Sequence, residues 1–112
     1  MSEYDGYDIF LEQIKAFQSM EKSNKEAYEM DIEKAEWDRK YETELTKKIL
    51  TLRSDGMQTS IVERVAKGEP EIAELKFNSS VCEAKSRAAK ENINIKKKLF
   101  DSIEATKKRE LG

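Results

Sequence analysis

The stretch RSDGMQTSIVERVAKGEP, residues 53–70, decides the fold. Asp55-Gly56 reads as the end of a helix, because glycine takes the left-handed conformation past a helix C-terminus at no steric cost. Ser60-Ile61-Val62-Glu63 then matches a capping box. In that motif the serine hydroxyl accepts from the third helical amide, and the glutamate reaches back to the serine amide. A short helix over residues 60–67 follows, closed by Gly68. Pro70 stands where proline is best tolerated, at the first position of a new helix. Two long helices are therefore predicted on either side of a short one.

Outward from this connection the periodicity is helical in both directions. Upstream, Phe10, Ile14 and Phe17 fall at steps of four and three, with Leu11 beside them; residues so spaced share one helix face. Ser23-Asn24 is a soft spot where the helix could break. The pattern resumes at Tyr28, Ile32 and Ala35. It continues through Tyr41, Leu45, Ile49 and Leu52, with a slip near Asp38 that Trp37 flanks. Downstream, one apolar line holds Phe77, Val81, Ala84, Ala88, Ile95 and Leu99. A second holds Leu75, Cys82, Ala89, Ile93, Phe100 and Ile103. The chain has four glycines and one proline, so breaks are few and helices long. No alternating run predicts a strand. The predicted organisation is a loose acidic tail over residues 1–7 and one helical domain over 8–112. Its helices span about 8–54, 60–67 and 70–110.

Composition agrees with thin helices. Apolar residues make up 38 % and charged ones 39 %, against about 45–50 % and about 25 % in an ordinary compact domain. Residues 1–70 carry 11 basic and 16 acidic groups, a net of −5; residues 71–112 carry 10 and 7, a net of +3. An acidic first helix packing on a basic last one accounts for this, since charge runs on helices are usually solvated faces. There is no signal-peptide pattern and no apolar run near the roughly 20 residues that cross a bilayer. A cytoplasmic protein is expected, with no membrane association.

Helices joined by a compact connection pack antiparallel. The fold class is thus all-α, a long antiparallel, coiled-coil-like hairpin with a short helix in its connection. If Leu52 lies near Leu75, then Leu45 opposes Cys82, Ile32 opposes Ile95 and Tyr28 opposes Leu99. Trp37 and Tyr41 fall opposite Ala88 and Ala89, large rings against small side chains. This register leaves Phe10, Leu11 and Ile14 beyond the end of the chain, and Phe17 only its last residues. They either fold back at Ser23-Asn24 or meet another chain. Because exposed apolar segments mark interaction sites, Phe10, Leu11, Ile14 and Phe17 are the predicted partner interface, and a homodimeric bundle is the expected assembly.

Chemistry is sparse. The chain has no histidine, the commonest general base and metal ligand. Its single cysteine, Cys82, makes neither a disulfide nor a zinc site and reads as a small buried hydrophobe. No glycine-rich phosphate loop is present, and no cofactor, metal or catalytic residue is expected. Lys96, Lys97, Lys98, Lys107, Lys108 and Arg109 are the candidate nucleic-acid contacts, for salt-sensitive, sequence-independent binding. Three consecutive lysines spread over about 200° of a helix, so they form no single stripe. The acidic N-terminal third offers the opposite device, a field that imitates a nucleic-acid backbone.

The segment Gly56-Met57 and Thr59 through Ala66-Lys67-Gly68, then Ile72-Ala73-Glu74-Leu75, Ala84-Lys85, Ala88-Ala89-Lys90 and Ile95 to Ile103 resembles small coiled-coil proteins of bacteriophage and prophage early regions. The resemblance covers roughly residues 25–110. It implies a non-catalytic accessory protein in the bacterial host cytosol that assists phage recombination or replication through a protein partner, and it carries no functional residues across. Two rival expectations stand beside it. One is direct DNA binding by the basic C-terminal helix; the other is inhibition of a host defence nuclease by the acidic half.

Overall fold

A computed structural model describes residues 6–111. Three helices follow one another: α1 (Gly6–Ser54), α2 (Thr59–Gly68) and α3 (Pro70–Leu111). Of the predicted acidic tail, residues 1–5 lie outside the described residues, while Gly6 and Tyr7 already belong to α1. Helix α1 runs through Ser23-Asn24 without interruption, so the soft spot is no break. The chain divides into two compact units. One holds the residues up to Tyr28 with those from Ser86 onward; the other is Glu29–Lys85.

The second unit contains the connection. Helix α1 ends in a Schellman turn: the Met57 amide donates to the Leu52 carbonyl at 3.0 Å and the Gly56 amide to Arg53 at 3.0 Å. Gly56 has φ +95°, the left-handed region this turn requires. The predicted capping box does not form. Helix α2 begins at Thr59 after Gln58, with no side-chain cap. Glu63 instead pairs with Lys67 one turn on, at 2.8 Å. The box fails because the helix starts one residue early: the Gln58 carbonyl accepts from the Ile61 and Val62 amides, so Ser60 lies inside α2 and not at its N-cap. Gly68 is the last residue of α2 and keeps an ordinary negative φ; the C-cap is Glu69, whose amide donates to the Ala66 carbonyl at 3.2 Å. Pro70 opens α3 as expected, the Glu69 carbonyl accepting from the Ile72 and Ala73 amides at 3.0 and 2.9 Å.

Helices α1 and α3 are antiparallel, but the register differs from the predicted one by ten residues. Leu45 packs with Ile72 and with Ala66 of α2, and Tyr41, Ile49 and Leu52 close around them. It does not face Cys82. Lys48 lies 3.7 Å from Glu69, so α3 starts level with Lys48 and not beyond the end of α1. The last two turns of α1 overhang, and α2, whose Val62 and Ala66 are buried, supplies their cover. A ten-residue helix is about 15 Å long; the simple hairpin expectation gave that length no work to do. Tyr41, expected against alanine, lies instead beneath Lys76, whose ammonium is 5.5 Å from the ring centre. Trp37 is stacked by Lys40 at 4.6 Å.

Asp38 pins this register. Its carboxylate pairs with Lys34 at 2.6 Å and accepts the hydroxyl of the buried Ser79 across the helix pair. The Lys34 hydrogen bond, followed by that of Ser79, holds the Asp38 carboxyl below its ordinary 3.8. A depressed carboxylate pKa stabilises the fold above the unfolded value and loses that contribution as pH falls through the folded one. Stability is therefore expected to drop below about pH 4, with a shallower drop in Asp38→Asn, as read by urea midpoints across the acid range.

Four further outcomes test the connection. Gly56→Ala is expected to cost about 1–2 kcal/mol, because a Cβ strains the left-handed conformation. Gly68→Ala should instead stabilise by about 0.5–1 kcal/mol, since a Cβ there meets nothing within 4 Å. Leu45→Ala should cost about 2–4 kcal/mol, and Leu50→Ala, on the exposed side, under about 0.5 kcal/mol. Denaturant titration of the four variants separates these outcomes.

Candidate interaction surface

The first unit is a pair of antiparallel helix segments with a narrow seam. On α1 the buried residues are Ile9, Gln13, Ala16, Ser23 and Ala27; on α3 they are Ser86, Ala89 and Ile103. Small side chains at three- and four-residue steps let two helices approach closely. Polar members of the seam are matched across it. The Gln13 side-chain amide donates to the Glu104 carboxylate, and the Asn92 amide donates to the Ser23 hydroxyl at 2.5 Å. Among the described residues no buried side-chain nitrogen or oxygen lacks a partner.

These contacts bring α3 alongside the start of α1, so Ile9 is 1 % exposed. The expectation that residues before about Lys15 have no intrachain neighbour is thereby corrected: α1 and α3 start and finish nearly level in this unit. Phe10 and Phe17 nevertheless face outward, with the half-buried Ile14 between them, for a different reason. Each is one residue along from, or one after, a seam position, and so stands on the shoulder of the helix. Phe10 is 55 % exposed and Phe17 53 % exposed, while Leu11 and Ile14 are half-buried. Phe10, Ile14 and Phe17 line an open groove of about 470 Å³ together with Phe100 of α3, Gln13, Gln18 and Glu21. Leu11 is not part of it.

Phe100 joins this groove although the sequence reading placed it on an inner face. The signal was present: on α3 the positions Ile72, Leu75, Ser79, Cys82, Ser86, Ala89, Ile93, Lys96, Phe100 and Ile103 alternate three- and four-residue steps. Hydropathy already placed Phe100 on this line with Leu75, Cys82, Ala89, Ile93 and Ile103; that it borders the α1 groove comes from the register alone. The line that hydropathy favoured equally, with Phe77, Ile95 and Leu99, is exposed. On the other flank of the first unit, Glu12, Lys15 and Ala16 of α1 meet Lys96, Leu99 and Ile103 of α3 in a second shallow recess.

The candidate nucleic-acid contacts differ in exposure. Lys96 is half-buried in that recess. Lys97, Lys98 and Lys108 are exposed and Lys107 is half-buried. Arg109 lies 3.7 Å from Glu110. Cys82 of the second unit is a buried free thiol. Burial, followed by the charge of Glu33, pushes its pKa up, which keeps it protonated and poorly nucleophilic at neutral pH. Among the described residues no group of three or more metal-ligating side chains gathers, and no helix is long and apolar enough to cross a membrane.

No protein-family model, curated protein or solved structure matches this chain.

Proposed function

We propose that the protein is a non-catalytic helical-hairpin interaction protein, phage-encoded, that assists DNA recombination or replication by engaging a protein partner. The observation that carries the interaction reading is the exposure of Phe10, Phe17, Ile95 and Leu99 on a unit whose own seam is already closed. Large apolar side chains left outside a filled seam are surface for another protein. The phage setting and the link to DNA metabolism rest on the resemblance to phage early-region coiled-coil proteins.

Direct DNA binding is the less favoured reading. Phosphate recognition gains from cations gathered along one groove, and the basic side chains of α3 are distributed around it. Fluorescence anisotropy with labelled single- and double-stranded DNA decides between the two. The expected result is no binding at near-physiological salt and, from a phage-infected lysate, retention of a recombination or replication protein by the tagged chain. Tight binding that weakens steeply with salt, and is lost in Lys97→Glu/Lys98→Glu/Lys108→Glu, would replace this reading with the DNA-binding one.

A further inference from the structure

The geometry points to a second copy of this chain as the occupant of the Phe10–Ile14–Phe17–Phe100 groove, the two copies forming a two-fold bundle. This inference concerns assembly and does not rest on the role in DNA metabolism.

The first argument is area. The chain exposes 8294 Å², whereas a monomeric protein of 13.0 kDa exposes about 6,300 Å² by the usual size scaling. The excess of about 2,000 Å² is spread over both units, and a standard interface needs only roughly 800 Å² of surface from each partner.

The second argument is the thinness of the first unit's core. Its buried apolar side chains are Ile9, Ala16, Ala27, Ala89 and Ile103. Three of the five are alanines, whose burial removes little apolar area from water. Three polar residues, Gln13, Ser23 and Ser86, share the seam. Oligomerisation is one way in which small cores gain apolar burial, and the sole cysteine lies in the other unit. The missing apolar burial sits on the shoulder, as Phe10 and Phe17.

The third argument is self-complementarity. Phe10 and Phe17 are both ridge and wall: each projects from α1 and bounds the recess that ends on Phe100. A two-fold axis sets the ridge of one copy into the recess of the other, which is the demand of an isologous interface. The other occupants fit less well. The lining has no cationic side chain, so a nucleic-acid backbone has nothing to pair with. Its polar groups are Gln13, Gln18 and Glu21, and Gln13 is engaged with Glu104, so few remain to orient a small ligand.

Light scattering and sedimentation equilibrium on the full chain from about 1 μM to about 1 mM test this. The expected result is twice the chain mass, with a melting temperature that rises with concentration, as mass action requires of a stabilising partner. Phe10→Glu/Phe17→Glu should weaken association at least about a hundredfold, and Phe10→Gln/Phe17→Gln should weaken it less. Phe77→Glu, exposed in the second unit, should leave it unchanged. If the glutamate pair fails to fold, the concentration dependence of wild-type melting still decides. A monomer at every concentration with a constant melting temperature overturns the proposal. So does a dimer that Phe77→Glu breaks and the Phe10/Phe17 variants do not, or a monomer whose groove holds a foreign protein.

Discussion

Three helices converge where Leu45 of α1 meets Ala66 of α2 and Ile72 of α3, and the rest of the second unit follows from that junction. Ala66 is fully buried, and a larger side chain there would push α2 off the overhanging end of α1. Because α2 is ten residues long and α3 begins after a single intervening residue, the start of α3 is carried back to the level of Lys48. The connection thus sets the register of the helix pair by length alone. Polar contacts then hold it: Asp38 with Ser79 in one unit, and Gln13 with Glu104 and Ser23 with Asn92 in the other. Each net bond contributes only about 1 kcal/mol, but a slipped register would leave buried polar groups unpaired, which costs more.

The same register explains the surface. A seam made from alanine, serine and glutamine brings helix axes close but buries few large side chains. Phenylalanines and isoleucines that would fill a wider seam are displaced to the shoulders. The resulting groove in the first unit is apolar, lacks cations and is bounded by aromatic rings. Those properties favour a helix from another protein over a phosphate or a metabolite. They arise without any unpaired end of the chain, since Ile9 is already enclosed.

Much was legible in the sequence. Gly56, Gly68 and Pro70 marked the ends of the helices closely, because helix termination is governed by local backbone sterics. The scarcity of other breakers gave three helices, and the periodicity gave the apolar row at Phe10, Ile14 and Phe17. The capping box was misread for a local reason as well: α2 begins at Thr59, so Ser60 lies inside the helix and not at its N-cap. The seam was misread because two lines of α3 were nearly equal in hydropathy, and the buried one includes Ser79 and Ser86.

By itself the sequence determined that the chain is helical, where its helices stop, and that large apolar residues recur along both long ones. These are local properties, set within a few residues by steric limits and side-chain spacing. Only the tertiary structure decided which face of each helix is covered, which residues oppose one another, and that Phe100 joins Phe10 and Phe17. The choice between faces depends on how far α2 displaces α3 along α1 and on which polar side chains find partners across the gap. Both are relations between residues tens of positions apart, and no local pattern encodes them.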